Sequence, residues 1–195
     1  MDTFEELLKE STRIHGHICA GQVIGVRMSM LALSLIGIRE PKGFDRKKLY
    51  VIVEIDRCAT DAIQSVTGCS LGKRSMKWLD HGIMAATFVN LDSGAAVRIT
   101  ALEEARERSN KYCSEITDKY ARQLEAYKIM ADEELFRIEH VAIDIPPEDL
   151  PGRPLSRVQC EVCSDWVQDK RDLTVNGRTV CRNCAGQRYY RKLDQ

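Results

Sequence analysis

Residues 3–14 place Phe4, Leu7, Leu8 and Ser11 on one helical face, with Asp2 or Thr3 as the cap, which predicts an amphipathic first helix. Residues 22–35 are apolar nearly all round and predict a second helix central to the core. Gly25, Arg27 and Ser29 interrupt the apolar run over 23–38, so it reads as a buried helix rather than a membrane span. Gly37 stops it, and Pro41-Lys42-Gly43 makes a loop. Residues 49–55 are continuous and β-branched, the pattern of a buried strand. The spacing then turns helical through Ala59, Ala62, Ile63 and Val66, with Gly68 closing the helix. A loop carrying Trp78, Asp80 and His81 follows. Residues 83–90 and 95–100 read as strands joined in a hairpin through Leu91-Asp92-Ser93-Gly94. Residues 102–137 predict one long helix or two in succession, with Cys113 as a packing residue, and 138–145 alternate as a further strand.

Residues 146–154 hold four of the five prolines and mark a boundary. The chain divides into 1–145, a proline-rich linker over 146–157, and a module over 158–195. In that module Cys160-x2-Cys163, a gap of 17 residues, and Cys181-x2-Cys184 present two close thiol pairs. Four thiolates so paired satisfy tetrahedral zinc with no open position, the structural kind of site. Residues 166–169 and 173–180 read as a β-hairpin element turning at Asn176-Gly177, and a terminal helix begins at Ala185. Knuckle, hairpin, and a knuckle that opens a helix is a treble-clef arrangement, which zinc holds together in so small a module.

Composition changes this picture little. Formal net charge is zero over 195 residues, so no global field argues for nucleic acid or membrane. Arg182, Arg188, Tyr189, Tyr190, Arg191 and Lys192 read as a solvated basic helix in preference to a nucleic-acid surface. The start, Met1-Asp2-Thr3-Phe4, has neither a basic n-region nor an apolar h-region, so no signal peptide is expected and the expected compartment is the cytoplasm. Eight cysteines are many for such a chain, but their placement speaks for metal chemistry and against a disulfide framework.

The densest chemistry in the first domain is His15-Gly16-His17-Ile18-Cys19-Ala20-Gly21, which holds two of the four histidines within seven residues. Cys58 and Asp61 lie where the first strand meets a helix, and Cys69 and Lys73 follow that helix. Imidazole and thiolate together suit zinc or another transition metal. His17, Cys19 and Cys58 are the expected ligands, with His15, Asp61 or Cys69 completing or tuning the site and Lys73 nearby as an anion contact. A fourth position left open would make this a catalytic kind of site, with two cysteines and one histidine as its protein ligands. The helix N-terminus beside Cys58 is expected to lower its pKa.

These motifs resemble the formylmethanofuran dehydrogenase E-subunit family. The resemblance rests on HGHICAG with its following helix, on Cys58-Ala59-Thr60-Asp61-Ala62-Ile63-Gln64, on Thr67-Gly68-Cys69-Ser70-Leu71-Gly72-Lys73, and on Gly94-Ala95-Ala96-Val97-Arg98, spanning roughly 10–145. Ala20 stands where the family often has proline and His81 where it often has tyrosine. The resemblance implies an α+β core with a mixed β-sheet flanked by helices, thioredoxin-like in outline, and in some members a zinc-finger tail. It also implies an association with molybdenum or tungsten formylmethanofuran dehydrogenase, which reduces carbon dioxide to a formyl group in anaerobes.

The expected function is therefore a metal-binding accessory subunit or homologue in one-carbon metabolism. It carries a structural zinc in the finger and a second zinc or other transition metal in the first domain, and a homodimer is expected. The alternatives are a stand-alone metalloenzyme or thiol redox enzyme, with Cys58, His17, Asp61 and Lys73 as the catalytic candidates, or a zinc-finger regulator that binds nucleic acid. Against disulfide exchange, Asp61 stands where the usual Cys-x-x-Cys dithiol needs its second cysteine.

Overall fold

The computed structural model describes residues 2–193 and divides into two compact units, Met1–Asp144 and Ile145–Gln195. The first unit opens with α1 (Phe4–His15), whose cap is Thr3. The Thr3 hydroxyl accepts from the Glu6 N–H at 3.3 Å and the Glu6 carboxylate accepts from the Thr3 N–H at 2.8 Å, a reciprocal capping box. Leu7, Leu8 and Ser11 are buried, as the face pattern requires. α2 (Ala20–Leu35) starts directly after the HGHIC stretch and buries most of its surface. β1 (Leu49–Val53) leads into α3 (Cys58–Thr67), and β2 (Met76–Trp78), β3 (Ala85–Asn90) and β4 (Ala96–Ala101) follow. The last part comprises α4 (Ala105–Tyr112), α5 (Lys119–Ile129), α6 (Asp132–Leu135) and β5 (Phe136–His140).

The strands form one mixed sheet in the order β2-β1-β3-β4-β5. β1 and β2 run parallel on either side of the α3 crossover, while the pairs β1–β3, β3–β4 and β4–β5 are antiparallel. Val51 and Val53 align with Phe88 and Ala86, and these with Val97 and Ile99. All six are buried with Leu7, Val26, Leu33, Ile63 and Tyr127 in one core between sheet and helices. The topology establishes a mixed α+β sheet with helices, and not the narrower thioredoxin-like arrangement. On the opposite face Arg98 grips Glu54 through two bonds of 2.6 and 2.8 Å and Glu139 through one of 2.8 Å. The guanidinium holds the Glu54 carboxyl below the usual carboxylate range.

Two features differ from the sequence expectation. The loop expected around Trp78 contains β2, a strand of three residues that pairs with Val51–Val53. The helical stretch takes the second of its two expected forms, breaking after α4 at Cys113 and restarting at Asp118, whose carboxylate caps α5 by accepting from the Ala121 N–H at 2.8 Å; the four-residue α6 is an addition. The stretch ends early because Phe136 already belongs to β5, opposite Ala101.

In the second unit β6 (Arg157–Gln159) pairs with β7 (Trp166–Gln168), and β8 (Leu173–Val175) with β9 (Arg178–Val180). The second hairpin turns at Asn176 and Gly177, both with positive φ. The expected terminal helix is reduced to one wide turn, Asn183–Gln187, because Gly186 adopts a left-handed φ of 91°. Residues 188–193 carry no regular helix, so the basic and aromatic tail does not present one helical face. The proline-rich segment contains a short turn at Pro147–Asp149, and Arg171 ties it down by pairing with the Asp149 carboxylate. The Leu155 N–H donates to Asp169 at 3.0 Å and the Lys170 N–H to the Ser156 hydroxyl at 2.7 Å. Among the described residues no helix is long and apolar enough to cross a membrane.

Candidate metal centres

In the second unit the sulfurs of Cys160, Cys163, Cys181 and Cys184 all lie within 4.8 Å of one another. The Cys163 and Cys181 sulfurs are 3.7 Å apart. Tetrahedral zinc with bonds of about 2.3 Å spaces its sulfurs by about 3.8 Å, so the group has the dimensions of a filled four-thiolate site. The knuckles supply the remaining polarity: the Cys184 N–H points at the Cys181 sulfur at 3.4 Å. The four thiols also compete for charge. Backbone N–H donors, first from Cys181 and then from Cys163, pull Cys160 down to about 6. Cys163 is pushed up to about 12: the Asp165 N–H pulls downward, but burial and the adjoining Cys160, Asp165 and Cys184 side chains prevail. A divalent cation at the centre removes that conflict.

The first unit builds its centre from three segments. α1 ends on His15, Gly16 takes a φ of 94° and turns the chain, and His17 and Ile18 bring it to Cys19, the N-cap of α2. One ligand atom from each of His15, His17 and Cys19 lies within 4.8 Å of the others, and the two imidazole rings have centroids 4.5 Å apart. From the third segment, at the start of α3, the Asp61 carboxylate holds His15 Nδ1 at 2.7 Å. His15 Nε2 is buried and has no hydrogen-bond partner among the described residues. A carboxylate that fixes one ring nitrogen and leaves the other bare and enclosed is the outer-shell arrangement of metal-binding histidines. The residues therefore fit a metal ion bound through His15 Nε2, His17 and Cys19.

Cys58, the first residue of α3, adjoins Cys19 but stands outside that trio. Its backbone is anchored by Gln22, whose amide donates to the Cys58 carbonyl at 2.6 Å while accepting from the Ser11 hydroxyl. The pKa expectation for Cys58 is corrected here. Burial, then the Cys19 thiol, and further down Asp61, push it above the ordinary thiol value and outweigh the helix N-terminus. Helices α2 and α3 can bring these groups together because of two glycines. A Cβ on Gly21 would stand 2.9 Å from Cys58 Cβ, and one on Gly25 would stand 2.4 Å from the Ala59 carbonyl oxygen.

Two expected members of the site lie elsewhere. Cys69 is buried, its sulfur directed at the Leu49 carbonyl at the far end of β1, and burial raises its pKa. Lys73 donates to the Gly68 carbonyl at 2.9 Å, at the C-terminal end of α3, whereas Cys58 starts that helix. The physical reason is the helix itself: its 10 residues carry the chain about 15 Å away from Cys58 before these two occur.

Beside His15 and Cys58 opens a cleft of about 470 Å³ with a wall of Val53, Leu71, Met76 and Trp78 and a rim of Asp56, Arg57, Thr60, Asp61 and Gln64. In the sequence Trp78, Leu71 and Met76 read only as loop residues, and Gln22 as part of an apolar helix. The signal for Gln22 is an amide in the first turn of a helix that is apolar nearly all round.

An α+β unit with a His-His-Cys group at a cleft, joined to a four-cysteine unit, defines a protein with two candidate metal centres of different kinds. A family model described as FmdE, molybdenum formylmethanofuran dehydrogenase operon, matches residues 14–140, and the chain belongs to that family. It is 30% identical over 202 residues to a probable S-adenosyl-L-methionine-binding protein of Archaeoglobus fulgidus. That alignment takes in 94% of this chain and 53% of the relative, so the chain spans about half of that relative's length. Its fold is similar to the crystal structure of a tungsten formylmethanofuran dehydrogenase FmdE-like protein from Syntrophus aciditrophicus. The TM-score is 0.64 and the identity 22%, over 97% of this chain and 95% of that one.

Proposed function

We propose that the chain is a metal-binding accessory subunit or homologue in anaerobic one-carbon metabolism, with a transition metal at His15, His17 and Cys19 and a structural zinc at Cys160, Cys163, Cys181 and Cys184. The observation that carries the first centre is the buried, partnerless Nε2 of His15, a residue whose Nδ1 is held by Asp61 and which groups with two further ligand-bearing residues, His17 and Cys19. Family membership over 14–140 supports the metabolic setting. His15, His17 and Cys19 hold the ion; Asp61 keeps His15 in the tautomer whose Nε2 is a lone-pair donor. Cys58 completes the sphere or faces the ion from the cleft. A bound ion with one open position supplies Lewis acidity towards a group entering that cleft.

Cobalt substitution tests the assignment. Co2+ added to the full chain is expected to give a thiolate-to-metal absorption from both centres. The Cys19→Ser protein should lose the part that belongs to the first. An unchanged spectrum in that variant contradicts the ligand set. Association with dehydrogenase subunits, and pairing of two 22.1 kDa chains, belong to the same proposal. Native mass spectrometry reads both, and a lone 22.1 kDa species from the native source sinks both.

A further inference from the structure

We infer that Cys19 and Cys58 form a redox-active dithiol whose oxidation to a disulfide disables the first metal centre. The missing partner of Cys58 is absent from the Cys-x-x-Cys position, where Asp61 stands, but it arrives from the start of the neighbouring helix. Cys19 caps α2, Cys58 opens α3, and a Cβ placed on Gly21 would lie 2.9 Å from Cys58 Cβ and 3.7 Å from the Cys19 sulfur. Both cysteines therefore flank the same point beside Gly21, from opposite helix starts. Both are partly exposed, and Cys58 lines the cleft, so a small oxidant reaches it. Cys69 and Cys113 are buried.

With a low-molecular-weight disulfide as oxidant the step balances. The Cys58 thiolate attacks one sulfur of the oxidant, forms a mixed disulfide and releases one thiolate. The Cys19 thiolate then attacks the Cys58 sulfur, closes the Cys19–Cys58 bond and releases the second. The protein loses two electrons and two protons; the oxidant becomes two thiols. Cys19 is thereby withdrawn from His15 and His17. The effect on metal rests on the proposed function; the disulfide itself does not.

The test uses the full chain and glutathione disulfide, before and after equilibration with Zn2+, read by intact mass and peptide mapping without reductant. The metal-free first centre is expected to yield a species lighter by two hydrogens, with the peptides of Cys19 and Cys58 cross-linked. Cys19→Ser and Cys58→Ser should each leave the remaining cysteine as a glutathione adduct. Bound Zn2+ should slow the cross-link by roughly tenfold or more, because the ligand thiolate is occupied. Glutathione adducts without a Cys19–Cys58 link in the unsubstituted chain overturn the inference. A link that forms equally fast with and without Zn2+, in a protein that binds no second metal, leaves the dithiol standing and overturns the metal assignment.

Discussion

At His15 the imidazole is held on one side only: Asp61 takes Nδ1 at 2.7 Å, and Nε2 has burial without a partner. A buried polar atom without a partner costs on the order of 1–3 kcal/mol, and coordination offsets that cost. Asp61→Asn should therefore weaken metal at the first centre by roughly 10–100-fold with little effect on the four-cysteine centre, read by competition with a chromogenic chelator. Equal affinity in the two proteins would remove Asp61 from the site. Asp45 makes a separate prediction about acid. Its carboxylate accepts from the backbone N–H groups of Glu40 and Arg39 and pairs with Lys48, which hold its pKa at about 2 against an ordinary 3.8. A depressed folded pKa stabilises above the unfolded value and is lost as pH falls through the folded one. The gap in urea midpoint between the parent and Asp45→Asn should be widest above pH 3.8 and close towards about pH 2. A gap that does not change with pH contradicts this account of Asp45.

At the scale of elements, the centre depends on how closely α2 and α3 approach. Gly25 faces the Ala59 carbonyl oxygen and Ala62 Cβ, at 2.4 and 2.6 Å from where its own Cβ would lie. Gly25→Val should destabilise the first unit by about 1–3 kcal/mol and loosen its metal site as well, seen in the urea midpoint and metal content together. Much of this was legible from periodicity. The apolar run of 22–35 and the β-branched run from Leu49 state their own structure, and the junction before Cys58 follows from the change of period. What periodicity does not carry is partnership. Met76–Trp78 is a strand only because β1 lies beside it, and Gly186 ends a helix that the residues around it would continue. The same limit explains the site. His17 and Cys19 were legible as ligands from local density, whereas Cys69 and Lys73 shared the motif but lie past the far end of α3. In the sequence His15 is only one of several possible completions; the Asp61 contact at 2.7 Å that orients it depends on the approach of α3 to the end of α1.

For the whole molecule, the two units divide the chemistry: a four-cysteine group in Ile145–Gln195 and a His-His-Cys group whose His15 lines a cleft in Met1–Asp144. The first has every ligand supplied by protein sulfur, which suits a structural ion; the second leaves room beside it for another group. The measurement that bears most directly on this division is metal per chain by plasma mass spectrometry after equilibration with Zn2+. Two ions per unsubstituted chain are expected, and one in the protein carrying both His17→Ala and Cys19→Ser. One ion per unsubstituted chain, or two retained in the double variant, contradicts the account.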